Sequence, residues 1–359
     1  MQPTRQQTHI TPDIAETLLH NLVAIPSPSY EESTVVKHLV AWMGAHGYDE
    51  AFVDEVGNAV GIRGTGSRTI VLLGHIDTFG GFPPVKIENG KLYGRGSVDA
   101  KGSLATFAVA AAQATLPDDT RLVVIGAVEE ECPTSAGARH AIAAYKADLC
   151  IIGEPSNWDR ITLGYKGRLL LEWNWSGGLA HSASQETSPA EHAFAYWQTV
   201  VDYTKCTNEG KSRIFEKLDA TLQEVNTSQE GAYGHARMIV GFRLPSTITP
   251  DEIIAALPSA DSATVRPFGQ EHAFVAEKDN VLTRAFRAAI RAEGGQPTFV
   301  HKTGTSDMNI AGRAWGCPIV AYGPGDSSLD HTPDEHIELT EFHKAITVLV
   351  NVLNRLKVD

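Results

Sequence analysis

The chain contains little cysteine and no long apolar run. Only 4 of its 359 residues are cysteine, and no two of them are spaced as Cys-x-x-Cys. This excludes a disulfide framework and a cysteine-rich zinc site. No apolar stretch approaches the roughly 20 residues that a membrane-spanning helix needs, and the first residues lack the apolar core of a signal peptide. We therefore expect a cytoplasmic protein with no membrane association.

Basic charge is also scarce. Lys and Arg total 30 against 43 Asp and Glu, which gives a formal net charge of −13. A general nucleic-acid binder presents a basic surface to the phosphates, so we expect no nucleic-acid partner. The hydrophobic content of 42% and the charged content of 20% are those of an ordinary globular protein. The length is sufficient for two domains or for one large one.

Segments typical of strands and helices alternate up to about residue 160. Helices are predicted at 11–25, 30–46, 101–115 and 136–146. Strands are predicted at 52–54, 59–63, 69–74, 122–127 and 149–153. Such alternation indicates βαβ units, so we expect an α/β domain with a mostly parallel sheet and helices on both faces.

The pattern changes near residue 164. Strands are predicted at 165–176, 217–227, 233–244 and 262–268. A helix is predicted at 188–205, between the first two strands, and a short helix begins after Pro250. This β-α-β-β-α-β order is typical of a ferredoxin-like α+β domain. The α/β pattern then resumes at 280–293, 318–322 and 340–356. We expect an α/β domain of residues 1–163 and 276–359, with residues 164–275 inserted as a second domain.

Three predicted strands each lead into a side chain that could bind a metal. The segment 69–74 leads into His75-Ile76-Asp77, and the segment 122–126 leads into Glu129-Glu130-Glu131. The segment 149–153 leads into Glu154. Ligands of open α/β sheets bind just beyond the carboxyl ends of the strands. These side chains would therefore converge on one point.

Each motif has a structural alternative when it is taken alone. His75 and Asp77 point the same way on a strand, so Asp77 could orient the imidazole; taken alone, however, the pair favours a buried His beside a capping Asp. Asp99 precedes an Ala-rich helix, where Asp is a common N-cap. The three glutamates could be a solvated turn, although a buried acidic triplet would need cations to relieve its repulsion.

The combination is more specific than its parts. Glu154 before a proline and His331 in a loop would each be unremarkable. Together with His75, Asp99 and the glutamates they make a mixture of imidazole and carboxylate ligands that suits Zn²⁺.

Five motifs resemble the dinuclear-zinc deacylase and exopeptidase family, which includes acetylornithine deacetylase, succinyl-diaminopimelate desuccinylase and glutamate carboxypeptidase. In chain order they are Gly74–Asp77, Leu92–Gly102, Glu129–Glu131, Gly153–Pro155 and Asp330–Glu335. The resemblance covers nearly the whole chain. The segment 126–139 is most similar to the lysine-biosynthesis (LysK) branch of that family.

The resemblance implies a set of metal ligands. His75 and Glu154 would hold one zinc ion, Glu131 and His331 would hold the other, and Asp99 would bridge the two. Two Zn²⁺ ions are implied as cofactors, with Co²⁺ as a substitute that the site could accept.

The resemblance also implies a general base, Glu130, and an orienting residue for the imidazole, Asp77. The family motif has two consecutive glutamates, whereas this chain has three. We choose the register Glu130-Glu131 because it needs the smaller insertion before Gly137. The register Glu129-Glu130 remains the alternative.

The inserted domain resembles the lid and dimerisation domain of the family. By that resemblance His181 would enter the active site of the partner subunit and stabilise the oxyanion, although a loop histidine is the simpler alternative. Arg243 matches an arginine of the lid that could bind substrate. The loop that binds a substrate carboxylate would be formed by Lys302, Gly304, Thr305 and Ser306. A structural turn or ion pair is the alternative for each.

The resemblance implies a metal-dependent amide hydrolase that releases lysine or ornithine. Its substrate would be a small N-acyl amino acid or a precursor linked to an acidic amino-group carrier protein. Arg284, Arg287 and Arg291 recur near one helical face and could dock such a carrier, although a solvated face is the common reading of such a row. Alternatives are an acetylornithine deacetylase, a succinyl-diaminopimelate desuccinylase, a zinc carboxypeptidase or dipeptidase, and a non-catalytic metal-binding homologue.

Overall fold

The computed structural model describes residues 10–179, 187–257 and 262–356. Contacts within this part of the chain divide it into two units. The first unit contains residues 10–164, 276–301 and 306–356. The second contains residues 165–179, 187–257, 262–275 and 302–305. The short segment 302–305 groups with the second unit, although the sequence suggested a place in the α/β domain.

Alternating strands and helices form the first part of the first unit. Its helices are α1 (Pro12–Ala24), α2 (Ser33–Ala45), α3 (Lys101–Gln113) and α4 (Ala136–Ala144). Its strands are β1 (Glu50–Val53), β2 (Ala59–Arg63), β3 (Arg68–His75), β4 (Lys86–Glu88), β5 (Lys91–Tyr93), β6 (Thr120–Ala127), β7 (Leu149–Gly153) and β8 (Arg160–Tyr165).

The second unit is built in the predicted β-α-β-β-α-β order. Its elements are β9 (Gly167–Gly178), α5 (Pro189–Thr207), β10 (Asp219–Glu230), β11 (Tyr233–Leu244), α6 (Pro250–Ala256), β12 (Ala263–Glu271) and a short β13 (Phe274–Val275). The sheet has the order β10-β11-β9-β12, with every neighbouring pair antiparallel. This is the ferredoxin-like arrangement expected from the sequence.

One face of the second sheet carries the core of that unit. Buried and half-buried residues alternate along β9, as a strand with one covered face requires. Trp173 stacks on Tyr196 of α5, with 5.3 Å between the ring centroids. Helix α5 begins with a capping box formed by Ser188 and Glu191, a strong local start signal.

The chain then returns to the first unit. The remaining elements are α7 (Val281–Ala292), β14 (Thr298–Lys302), α8 (Asp307–Trp315), β15 (Ile319–Ala321), β16 (His336–Glu338) and α9 (Leu339–Arg355).

The main sheet of the first unit has a parallel centre. The strand order is β1-β2-β6-β3-β7-β15-β8, and β14 lies beside β8. Strands β6, β3, β7 and β15 run parallel, whereas β1, β2 and β8 are antiparallel to their neighbours. Helices α1, α3, α7 and α9 form one packed group, and α4 packs with α8 in another. The predicted α/β class is confirmed.

Three glycines bring α3 close to the ends of the central strands. Gly74 lies in register with Gly126 on one side and Gly153 on the other. A Cβ atom at Gly126 would lie 3.0 Å from Leu104, and one at Gly153 would lie 3.0 Å from Phe107. Both Leu104 and Phe107 belong to α3. The N-terminus of α3, which follows Asp99, is thereby held near the carboxyl ends of the strands.

Several short elements were not predicted. Strands β4, β5 and β16 have three residues each and form a separate small antiparallel sheet. Three residues are too few to show an alternating pattern. Within the residues that the structure describes, no helix combines the length and the apolar content that a membrane span requires.

Candidate metal centre

The carboxyl ends of neighbouring parallel strands bring the candidate ligands together. Strand β3 ends at His75, which is in register with Ala127 of β6. Glu154 directly follows β7, whose last residue is in register with Gly74. Both side chains are almost fully buried, with 1% of His75 and 8% of Glu154 exposed.

Two groups of ligand atoms share one carboxylate. His75, Asp99 and Glu154 form one group, and Asp99, Glu131 and His331 form the other, with the ligand atoms of each group within 4.8 Å of one another. The Nε2 atom of His75 lies 3.1 Å from Asp99 Oδ1, and that of His331 lies 3.2 Å from Asp99 Oδ2. The two oxygens of Asp99 therefore face different histidines, which is the geometry of a bridging ligand.

The local structure before α3 leaves Asp99 available for this role. The N-cap of α3 is Ala100, and no side chain caps the helix. The capping alternative for Asp99 therefore does not apply. Burial alone would raise the pKa of Asp99, but the hydrogen bonds from His331 and His75 outweigh it and lower that pKa.

The histidines respond to the same charges. Burial opposes the protonation of His75, yet its contacts with Asp77 and Asp99 raise its pKa well above the usual range. Hydrogen bonds to Asp99 and Glu131 raise the pKa of His331 to about 10. Without a cation, protons on the imidazoles neutralise the carboxylates. A bound metal ion would displace these protons and would itself neutralise the carboxylates.

The three glutamates have separate environments. The Oε1 atom of Glu131 lies 3.1 Å from His331 Nε2. Glu129 has a positive φ of 62°, and its carboxylate accepts a 2.5 Å hydrogen bond from the Thr134 hydroxyl. Glu131 thus belongs to the ligand groups, whereas Glu129 is engaged within its own loop.

Glu130 lies between these two environments and takes part in neither contact. Its side chain is half-buried. Burial raises the pKa of Glu130 well above its usual range; the charge of His75 opposes this shift, and the carboxylates of Glu154, Asp307 and Glu131 add to it. A carboxylate with a raised pKa is suited to proton transfer near neutral pH.

Asp77 acts on the backbone as well as on the imidazole. Its Oδ1 atom accepts from the backbone N–H of Glu130 at 3.1 Å, and its Oδ2 atom accepts from that of Glu131 at 3.0 Å. The Ser29 hydroxyl donates to Oδ2 at 2.7 Å. The carboxylate therefore fixes the two consecutive glutamates in place.

The imidazole of His75 is oriented mainly by a backbone oxygen. Its Nδ1 atom lies 3.0 Å from the carbonyl oxygen of Asp77 and 3.4 Å from Asp77 Oδ1. A carbonyl oxygen only accepts, so Nδ1 carries the proton of this hydrogen bond. The Nε2 atom is left to face Asp99, as a metal-binding tautomer requires.

Two residues that support the glutamate loop were not predicted. The buried Asn58 accepts from the backbone N–H of Val128 at 3.0 Å and donates to the carbonyl oxygen of Gly137 at 3.1 Å. These contacts close the loop at both ends. Glu32 accepts from the backbone N–H of Glu129 at 3.2 Å. Neither residue lies in a recognisable motif, so no local signal could have identified it.

Most of the expected substrate loop lies in the second unit. Arg243 donates from Nη1 to the Thr305 hydroxyl at 2.7 Å, and that hydroxyl donates to the carbonyl oxygen of Lys166 at 3.4 Å. The backbone N–H of Lys166 donates to the carbonyl oxygen of Lys302 at 3.2 Å. The guanidinium of Arg243 is exposed, and the loop that includes Gly304 is tied to it.

Ser306 has a different role from the rest of this loop. Ser306 is the N-cap of α8, where its hydroxyl accepts from the backbone N–H of Met308 at 3.2 Å. Its side chain is therefore engaged in starting the helix. His181 lies outside the described residues.

Comparisons with known proteins agree with one another. The sequence signature of Peptidase family M20/M25/M40 matches residues 71–355. A protein of Deinococcus radiodurans named "[LysW]-lysine hydrolase" is 46% identical over 358 residues, covering 96% of this chain and 98% of the relative. A protein of Thermococcus kodakarensis with a provisional name as a [LysW]-lysine/[LysW]-ornithine hydrolase is 40% identical, covering 94% and 91%.

A solved structure shows the same fold. The M20 family metallo-carboxypeptidase Sso-CP2 of Sulfolobus solfataricus superposes with a TM-score of 0.77, covering 95% of this chain and 98% of its own. The sequence identity is 17%, so this likeness concerns the fold alone.

Proposed function

Since the chain belongs to Peptidase family M20/M25/M40, we propose that it is a two-metal amide hydrolase of lysine biosynthesis. Its substrate is lysine or ornithine held in amide linkage on the carrier LysW. The names of its relatives include LysW. The observation that carries the proposal is the placement of Asp99 between His75 and His331, one carboxylate oxygen toward each.

The donor set fits a pair of divalent cations. Each group combines one imidazole nitrogen with two carboxylates, the mixture that Zn²⁺ accepts. His75, Asp99 and Glu154 would hold one ion, and Asp99, Glu131 and His331 would hold the other. Burial raises the pKa of Glu131 and of Glu154 in the metal-free protein, and the neighbouring carboxylate of Asp99 adds to both shifts. We propose Zn²⁺ as the ion, with Co²⁺ as an accepted substitute.

The residues of the chain would divide the chemistry between them. When bound, two such cations supply positive charge that polarises the scissile carbonyl and lowers the pKa of a coordinated water to about 7. Glu130 accepts the proton of the attacking water and returns it to the leaving amine. Asp77 keeps Glu130 and Glu131 in place through their backbone amides.

We further propose that Arg243 and the loop that contacts it bind the substrate. Arg243 is exposed and held in place by its hydrogen bond to Thr305, so its guanidinium would bind the carboxylate of the amino acid. Lys302 and Gly304 belong to the same loop. His181 would donate to the developing oxyanion, a kind of contact worth about 3–4 kcal/mol.

We also propose a homodimer formed through the second unit. Strand β10 has 12 residues and forms one edge of its sheet. Proteins usually cover or pair so long an exposed edge. Sedimentation analysis should therefore give twice the chain mass of 38.7 kDa, and a monomer at micromolar concentration would contradict the assembly.

A substrate panel tests the activity. Metal-free protein should be inactive, and protein reconstituted with Zn²⁺ or Co²⁺ should hydrolyse LysW-linked lysine or ornithine with the highest kcat/KM. The panel should also contain acetyl-lysine, acetyl-ornithine, succinyl-diaminopimelate and simple dipeptides. A preference for dipeptides would indicate a carboxypeptidase instead, and no turnover of any amide by the metal-loaded protein would indicate a non-catalytic homologue.

A further inference from the structure

A buried ion pair lies next to the backbone that carries Asp99, the ligand shared by the two groups. Arg95 and Glu335 are 6% and 0% exposed, and Arg95 Nη1 lies 2.5 Å from Glu335 Oε2. Neither side chain belongs to the ligand groups. A buried pair of this kind is costly to desolvate and is poor evidence of stabilisation by itself, so its other contacts indicate its role.

Glu335 holds the backbone that carries the shared ligand. Its Oε1 atom accepts from the backbone N–H of Val98 at 3.0 Å and from that of Asp99 at 3.1 Å. The two oxygens of Glu335 thus have different tasks, since Oε2 meets Arg95. Because Asp99 contributes to both ligand groups, a shift of its backbone would change both.

Arg95 also contacts the loop whose ring packs on His331, the exposed histidine of the centre. Its Nε atom donates to the carbonyl oxygen of Gly81 at 3.0 Å, which fixes the loop that carries Phe79. The Phe79 ring stacks on the imidazole of His331, with 4.4 Å between centroids and 10° between planes. The side chain of His331 is 41% exposed, so this ring contact limits its rotation.

Three loop segments of the chain therefore meet at the ion pair of Arg95 and Glu335. The loop 94–99 provides Asp99, the loop 79–81 provides the ring that covers His331, and the segment 331–335 provides His331 and Glu335. We propose that Arg95 and Glu335 are positioning residues of the metal centre, holding Asp99 directly and His331 through Phe79. This proposal rests on the proposed two-metal function and extends it to residues that bind no metal.

The test measures metal binding without any substrate. Glu335→Gln keeps the shape of the side chain but removes its charge. We expect it to weaken the affinity for both equivalents of Co²⁺ by 10- to 100-fold, the range typical of residues that orient metal ligands. The visible absorption bands of the Co²⁺ protein should change in position or intensity, because the geometry around Asp99 changes.

A matched control separates positioning from simple loss of stability. Leu349→Ala removes a fully buried side chain of α9 and should lower Tm without changing the Co²⁺ spectrum or affinity. If Glu335→Gln lowers Tm in the same way and keeps the wild-type spectrum and affinity, the pair is only structural and the proposal is wrong. If the wild-type protein itself binds no Co²⁺, the proposed function fails first.

A second variant covers the case in which Glu335→Gln does not fold. Phe79 is 48% exposed, so Phe79→Ala should fold normally. We expect it to weaken the Co²⁺ ion held by the group that contains His331, so that one of the two equivalents binds less tightly. Phe79→Tyr, which keeps the stacked ring, should restore the wild-type affinity. Equal Co²⁺ affinities for Phe79→Ala and the wild type would overturn the part of the proposal that concerns His331.

Discussion

The Oε1 atom of Glu131 lies 3.1 Å from the Nε2 atom of His331, although 200 positions separate the two residues. The sequence alone allows two registers for the acidic triplet, with either Glu129-Glu130 or Glu130-Glu131 as base and ligand. This contact favours the second. It supports Glu131 as the ligand and leaves Glu130 as the carboxylate for proton transfer. Glu129 instead accepts from Thr134 within its own loop.

Metal binding should release protons, and the metal affinity should increase as the pH rises. The pKa of His331 is raised to about 10 in the metal-free protein, so its imidazole is protonated at neutral pH and must lose that proton to bind a metal. Apparent affinity should therefore rise by roughly tenfold per pH unit for each proton displaced, between about pH 7 and pH 9. Calorimetric titration in two buffers of different ionisation enthalpy counts the protons. A metal affinity that does not change across this range would contradict the protonated ground state.

Asp77→Asn should impair catalysis more than the loss of a single hydrogen bond would. The amide cannot accept with both of its terminal atoms, so one of the backbone N–H groups of Glu130 and Glu131 loses its partner. We expect kcat to fall by roughly 10- to 100-fold with substrate KM little changed. Ser29→Ala is the control, because it removes only the outer hydrogen bond to Asp77 and should have a much smaller effect. Equal effects would mean that the backbone contacts are unimportant.

Arg243→Met should raise KM for the amino-acid part of the substrate. The variant keeps a long side chain but loses the donors that contact Thr305 and would meet a carboxylate. We expect an increase in KM of roughly 10-fold or more, with Arg243→Lys only partly restoring it, because Lys cannot bind a carboxylate with two parallel hydrogen bonds. Steady-state kinetics on acetyl-lysine and on its amide, which lacks the carboxylate, would show whether the rise in KM depends on that carboxylate. An Arg243→Met variant that loses activity equally on both would show that the arginine does not recognise the carboxylate.

Replacing three arginines of α7 by glutamate tests carrier docking. Arg284, Arg287 and Arg291 are exposed, and Arg284 also pairs with Asp279 at 2.8 Å. If this face attracts an acidic carrier, the triple variant should raise KM for the carrier-linked substrate and spare acetyl-lysine. The effect should shrink at high salt. An equal change in KM for both substrates would remove this face from the docking surface.

Local patterns explain why the fold class was predictable. Apolar runs with the right length and spacing identify β3, β6 and β7, and the position of His75 and Glu154 just beyond two such strands predicts that they lie close together. Helix α8 was missed because it is short and two residues of its first turn, Asp307 and Asn309, are polar yet buried. No periodic apolar pattern marks such a helix.

The supporting contacts of the site could not be predicted in the same way. Glu335 accepts from the backbone of Asp99 across 236 positions, and Asn58 meets Val128 across 70. Such pairs depend on how distant segments pack, and a single sequence carries no periodic signal for them. The direction of the Glu129 side chain likewise follows from its positive φ, which the letters Glu-Glu-Glu do not reveal.

The most direct test of the account is a comparison of glutamine variants at positions 129, 130 and 131, measured for both bound Zn²⁺ and kcat on a carrier-linked lysine. Glu130→Gln should keep two equivalents of metal and lose kcat by at least about 10²-fold, as expected for removal of a general base. Glu131→Gln should lose metal as well as activity, and Glu129→Gln should retain both. A Glu130→Gln variant with near-normal turnover, beside an inactive but metal-replete Glu129→Gln variant, would contradict the assignment and favour the other register.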